Sequence, residues 1–303
     1  MPDPSAYEQL LQTAGIKLVP SAELYPAQHP AGDTGLPMLV VENRFCRAVI
    51  ALQGAQLMAF QPHGKREMLW VSPKCIFRAG KALRGGIPLC LPWFGPSADG
   101  SMQHGFGRIM EWSVVAAESC PDGTTRIVLE LAGNDSLCTL WPHAFVFRLE
   151  AMVGAALQLS LCVENRSTTA APLSSAFHAY FAVPHVPEAR VAGLEGLTYI
   201  DKMDDSARKV QQGEVSITEQ TDRVYLDAPA TQTLRIASGD VKIESDAKCA
   251  VVWNCWDNDR KMADIGEGNH TRYLCVEPGD VAERAAVIPA GGEYRKWMKL
   301  SYV

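Results

Sequence analysis

Strand follows strand in this chain, with no regular helices between them. Short runs rich in branched and aromatic residues occupy Leu36–Glu42, Phe45–Leu52, Thr125–Leu131, Phe145–Met152, Leu157–Glu164, Thr233–Ala237, Val241–Glu244 and Cys249–Trp253. Such residues suit a pleated, half-buried surface. Turn formers punctuate the runs, among them Pro121-Asp122-Gly123, Asn165-Arg166-Ser167 and Ser238-Gly239-Asp240. Parallel strands need long crossovers, usually helices, so the pattern points to an all-β, antiparallel β-sandwich. One short N-terminal helix is expected over Ser5 to Gly15, with Ser5 as cap and Glu8 three positions later. A connector rich in proline and glycine, Pro26 to Pro37, separates it from the strands. No repeat, low-complexity tract or composition break divides the rest, so the expectation is a single domain over residues 1–303, with helix and connector in 1–35 and the sandwich in 36–303.

Charge and cysteine usage narrow the function classes. The formal net charge is −6, which argues against nucleic acid or an anionic membrane as partner; any phosphate would bind in a local pocket. No apolar run reaches the roughly 18 residues of a membrane span. The N-terminus lacks the basic start and apolar stretch of a signal peptide. Nine cysteines, an odd number with no CxxC pair, fall partly in apolar runs such as Leu161-Cys162-Val163. They read as reduced core residues of a cytoplasmic protein.

One irregular stretch stands apart. Arg84-Gly85-Gly86-Ile87-Pro88 runs through Leu91-Pro92-Trp93-Phe94-Gly95-Pro96 to His104-Gly105-Phe106-Gly107-Arg108. Its glycines permit positive φ and close approach by a ligand, and its prolines remove donors. Loops of this kind, carried by a scaffold, often hold function, and guanidinium forks match phosphate oxygens. A rigid turn with its arginines paired to carboxylates is the competing reading.

Polar residues also appear where strand logic does not demand them. His178 lies in the aromatic run Ala176-Phe177-His178-Ala179-Tyr180-Phe181, and histidine is the side chain best suited to move protons near neutral pH. Glu277 in Leu274-Cys275-Val276-Glu277-Pro278-Gly279 is expected to end a strand and project at the sheet's rim. Asp222, in Asp222-Arg223-Val224-Tyr225, reads as a turn residue or a hydroxyl acceptor. His104, beside Gly105 and near Arg108, suits a pocket wall. His29, His63 and His270 are expected at the surface, and His143 in a turn leading into a strand. Together these residues supply an acid, a base, an aspartate and an arginine cluster, while Trp93, Phe94, Phe106, Phe177 and Tyr180 are candidates to wall in a sugar ring. There is no GxSxG elbow, dinucleotide fingerprint or P-loop, and the histidine spacing is not that of a zinc site. No cofactor and no metal are expected.

The order of the motifs RGGIPLCLPWFGP, HGFGR, WPHAF, FHAYF, DRVY, AVVWN and CVEPG resembles that of the hexose-6-phosphate mutarotases, or glucose-6-phosphate 1-epimerases, of the aldose 1-epimerase superfamily. The resemblance runs from residue 84 to residue 279. It implies a galactose-mutarotase-like supersandwich with the site on one concave face. By position it implies His178 and Glu277 as the catalytic pair, Arg84, His104 and Asp222 as substrate contacts, and Arg108 as the basic residue at the phosphate. Gly107, Ala179 and Cys255 stand where alanine, threonine and proline are more usual.

The expected chemistry is anomer interconversion of a hexose 6-phosphate by ring opening, rotation about C1–C2 and closure. Glu277 is the expected base and protonated His178 the expected acid. Arg84 and Arg108 would grip the phosphate, with Lys81 a weaker candidate. The expected partner is the sugar phosphate alone, bound by a monomer. A mutarotase of unphosphorylated aldoses and a non-catalytic sugar-phosphate-binding protein are the alternatives.

Overall fold

The computed structural model describes residue 8, residues 11 and 12, and residues 14–303. The N-terminal helix expected over residues 5–15 therefore lies largely outside the described residues. The rest is built on three antiparallel sheets of four, eight and nine strands, with a two-stranded ribbon of Ala171–Leu173 and Ala286–Ile288. The four-stranded sheet is a meander of Ile16–Pro20, Pro37–Glu42, Cys46–Ala51 and Gln56–Pro62.

In the nine-stranded sheet the long neighbours Phe145–Val153, Leu157–Asn165 and Glu293–Tyr302 pair in continuous register. Its inward residues, Phe147, Leu149, Leu159 and Leu161 among them, meet the inward face of the eight-stranded sheet in one large core. Fully burying side chains of this size stabilises by about 1.5–3 kcal/mol each.

The eight-stranded sheet positions the site. Its central strands are Thr221–Leu226, Cys249–Asn254 and Tyr273–Asp280, with Val251 opposite Glu277 and Asp222 opposite Trp253. Side chains alternate between faces along a strand. Tyr225, Ala250, Val252, Leu274 and Val276 enter the main core, so Asp222, Val224, Val251, Trp253 and Glu277 share the opposite face. Beyond Tyr273–Asp280 the next strand is broken. Ser175–Phe177 and Tyr180–Ala182 both pair with it, but His178 and Ala179 between them belong to neither.

Two expectations are corrected here. Glu277-Pro278-Gly279 is strand, not rim and turn, and Glu277 is 1% exposed. Val276 donates its N–H to Ala179 across the broken flank, so the nitrogen of Pro278, two residues on, faces that same flank. A missing donor there costs no regular ladder bond. Asp222 likewise lies within a strand.

The glycines of the Arg84–Pro88 segment serve the protein's own backbone. At Gly86, φ is +62° and a Cβ would stand 2.0 Å from the carbonyl oxygen of Leu57; at Gly85 it would stand 2.3 Å from that of Trp70. Gly86 accepts from the N–H of Tyr180 and Pro88 from that of His178. The expected close approach is thus by neighbouring strands, not by a ligand. All nine cysteines are free and seven are buried, as the composition suggested.

Gly86→Ala is expected to destabilise the fold by about 2 kcal/mol or more, from left-handed strain and the clash with Leu57. Urea denaturation measures this, and a loss below about 1 kcal/mol would mean that the packing yields.

Candidate active site

The polar face of the eight-stranded sheet opens into a cavity of about 550 Å³. Its lining includes His178, Glu277, Arg84, His104, Arg108 and Asp222, so all six residues singled out from the sequence meet in one place although 193 positions separate Arg84 from Glu277. Asp222 and Glu277 come from strands on either side of Cys249–Asn254. His178 stands at the break in the next strand, where its backbone pairs with Pro88.

The floor holds the buried pair. Nδ1 of His178 lies 3.3 Å from Oε1 of Glu277, and the two side chains are 8% and 1% exposed. The alignment is not that of a hydrogen bond: His178 Nδ1 and Glu277 Oε2 have no partner. Burial pushes both groups toward their neutral forms. It holds His178 well below the ordinary imidazole value, helped by His104, Arg108 and Arg84. It holds Glu277 well above the carboxylate range, reinforced by Asp222 and opposed by Arg108. Both shifts act against charge on either partner.

The walls are cationic. Nε of Arg84 donates to Oδ2 of Asp264 (2.9 Å), and its Nη1 donates to the hydroxyl of Tyr180 (2.9 Å). Arg108 is less committed: Nη2 donates to the carbonyl of Gln103 (2.7 Å), while Nε is buried without a partner. His104 has φ +60°, a conformation unusual for a residue with a Cβ. Its Nδ1 accepts from the N–H of Gly95 (3.2 Å), which leaves the proton on Nε2. Burial, then Arg108 and Arg84, lower its pKa to about 3. It is thus a neutral ring with an N–H to offer. Burial raises Asp222, with Asp201 adding to the effect and Lys202 opposing it.

Several sequence expectations are revised. Lys81 is exposed and does not line the cavity, whereas Lys202, Gln103, Trp253 and Met262 do. Lys202 follows the end of a strand that was not recognised in the sequence, so nothing marked it. Of the aromatic candidates, only Phe94 lines the cavity; Phe106 and Phe177 are core residues. Trp93 faces a neighbouring cavity of about 610 Å³ shared with Trp141, Leu140 and Val287. His29 is not a surface group: its side chain is 3% exposed and bonded to Ser21 and Asp33. His270 is partly buried and paired with Asp259 at 2.7 Å.

Among the described residues, one trio brings metal-ligand types together. Ligand atoms of His178, Cys275 and Glu277 lie within 4.8 Å of one another. That is looser than the roughly 3.3–3.8 Å that tetrahedral ligands span with zinc bonds of about 2.0–2.3 Å. Burial also holds the Cys275 thiol well above its usual pKa, in the protonated form. The trio fits acid–base work better than a metal.

The raised Glu277 makes stability depend on pH. Between the unfolded and folded pKa values the native state binds one proton more than the unfolded chain, so stability falls as pH rises through that window. Glu277→Gln keeps the shape and removes the ionisation. Its stability relative to wild type is expected to grow as pH rises above about 5, by on the order of 1 kcal/mol per pH unit until the folded value is passed. Urea denaturation at each pH measures this; a constant difference would mean that Glu277 ionises as freely folded as unfolded.

Comparison with known proteins agrees with this geometry. The family profile described as aldose 1-epimerase matches residues 37–301. A Cenchrus ciliaris protein named "Putative glucose-6-phosphate 1-epimerase" is 36% identical over 290 residues, covering 89% of this chain and 86% of the relative. An Escherichia coli protein of the same name is 36% identical over 258 residues, covering 83% and 86%. The crystal structure of a protein from Salmonella typhimurium, described as "a putative mutarotase", superposes with a TM-score of 0.82 at 30% identity, covering 89% of this chain and 91% of that one. The motif order, the antiparallel sandwich and the buried histidine–glutamate pair have a common explanation: this chain belongs to the aldose 1-epimerase family.

Proposed function

We propose that the protein is a glucose-6-phosphate 1-epimerase, interconverting the α and β anomers of a hexose 6-phosphate. The observation that carries this reading is the buried His178–Glu277 couple, unpartnered at Nδ1 and Oε2, beneath a wall bearing Arg84, Arg108 and Lys202. The names of the relatives point to the same substrate.

Ring opening needs a base for the proton of the C1 hydroxyl and an acid for the ring oxygen; closure on the other carbonyl face reverses both. One proton on the couple suffices for this. In this reading the proton rests on Glu277 before the sugar binds, since burial disfavours imidazolium and carboxylate alike. A phosphate dianion near Arg108 and Arg84 offsets the two positive charges that disfavour imidazolium. The proton then passes to Nδ1 of His178 across the 3.3 Å gap. Glu277, now ionised, takes the hydroxyl proton and His178 protonates the ring oxygen. The N–H of His104 steadies charge on oxygen, and Asp222 accepts from sugar hydroxyls. Arg108, with uncommitted Nε, is the principal phosphate ligand.

A second reading is favoured by one contact. The charge of Arg84 is already balanced by Asp264 at 2.8 Å, which would suit a mutarotase of unphosphorylated aldoses. Two-dimensional exchange NMR between anomers discriminates the two. Protein-dependent exchange is expected for glucose 6-phosphate and far less for free glucose and galactose; equal acceleration of the free sugars would favour the second reading.

Two sets of variants test the roles. His178→Asn and Glu277→Gln are each expected to lower kcat by about 10²–10⁴-fold while the protein stays folded. Near-normal turnover in both would overturn the assignment. Arg108→Ala is expected to raise KM for glucose 6-phosphate by about 10-fold or more, as loss of a charge-assisted contact implies. An unchanged KM would remove it from the phosphate site.

A further inference from the structure

A histidine that moves protons is usually held in one orientation by a hydrogen bond from its second nitrogen. Here no side chain supplies such a bond among the described residues; the ring of His178 meets aromatic faces and edges instead. The ring of Tyr180 lies against it almost parallel, at 4.8 Å between centroids and 10° between planes. His104 and Trp253 close on it edgewise, at 5.5 Å and 5.9 Å.

Tyr180 is itself fixed at every level. Phe177, Ala179 and Phe181 enter the main core, and residues two apart on an extended segment face the same way, so His178 and Tyr180 share the opposite face. The backbone of Tyr180 donates to Gly86 and accepts from Trp70, and the residue is 2% exposed. Its hydroxyl takes the N–H of Arg84, and Arg84 is anchored by Asp264. The tyrosine is therefore a rigid plate, pinned at its far end, whose face presses on the imidazole.

We propose that Tyr180 is a positioning residue for the reaction, setting the plane of the His178 imidazole by stacking where a hydrogen-bonded orienter would ordinarily act. The proposal rests on the reading of His178 as an acid–base group. Stacked rings prefer offset parallel contact at such separations, and a displacement of about 1 Å at a reacting group costs on the order of 100-fold in rate. The contact should therefore appear in kcat and not in substrate affinity.

The test compares Tyr180→Leu, Tyr180→Phe and His178→Asn by anomer-exchange NMR with glucose 6-phosphate, with thermal melts as a control for folding. Tyr180→Leu is expected to lower kcat by about 10–100-fold with KM within about threefold, and Tyr180→Phe, which keeps the ring, to restore most of that loss. Full turnover in Tyr180→Leu alongside loss in His178→Asn would overturn the positioning role alone. Full turnover in His178→Asn would overturn the reading of His178, and the positioning role with it. Equal losses in Tyr180→Leu and Tyr180→Phe would overturn the proposal by assigning the effect to the hydroxyl.

Should Tyr180→Leu fail to fold, the wild-type protein still decides. A ring held face-on to tyrosine gives a single imidazole Hε1 resonance shifted upfield, identified by its disappearance in His178→Asn. An unshifted or exchange-broadened resonance would overturn the proposal.

Discussion

A carboxyl group in the middle of an antiparallel sheet, with an oxygen that nothing bonds, is the constraint around which this molecule is arranged. A buried polar group without a partner is destabilising by roughly 1–3 kcal/mol, and more if charged. The fold accommodates Glu277 by keeping it next to an imidazole, beneath two guanidiniums and close to the carboxyl of Asp222. Each neighbour moves the proton balance in a stated direction. Arg108 favours the ionised carboxylate, while burial and Asp222 favour the protonated form. The result is a buried imidazole–carboxyl couple whose charge balance is set by its neighbours.

Backbone contacts place the segments that carry that couple, and the stacked ring of Tyr180 meets its imidazole. The Arg84–Pro88 segment docks against Leu57, Trp70, His178 and Tyr180, and two glycines let it lie closer than any Cβ would permit. The break at His178–Ala179 turns the imidazole toward Glu277 and leaves room for Pro278 inside a strand. Irregularity in this part of the sheet thus has a local cause at each residue, while Phe145–Val153, Leu157–Asn165 and Glu293–Tyr302 in the nine-stranded sheet keep continuous registers.

Much of this could be read from the residues. The strand runs at Phe145, Leu157, Val241 and Cys249 begin where expected, because alternation and turn chemistry are local signals. Thr231–Arg235 starts two residues earlier than its apolar content suggested, since Thr231 gains its place from Glu244 across the ladder. Pro278-Gly279 misled because a proline is excluded only from a complete ladder, and the ladder there is incomplete. The six site residues were legible through motif order and do meet in one cavity. What the sequence did not carry was electrostatic. Whether burial or the neighbouring carboxylate would govern His178 depends on depth and on the guanidiniums above it. That Arg84 is tied to Asp264, 180 positions away, has no local trace.

The strand break that creates the site also sets when the site can exist. Arg84 precedes all eight strands of the sheet and Glu277 lies in the last of them, with segments between that pair across long stretches of chain. Contacts of such high sequence separation form late, because loop closure must precede them. During synthesis the arginine wall therefore emerges well before Glu277, and Ser175–Phe177 and Tyr180–Ala182 wait for Tyr273–Asp280 to fill the gap between them and Cys249–Asn254. The pocket is therefore one of the last parts of the sheet that this chain completes, and shorter chains lack its floor.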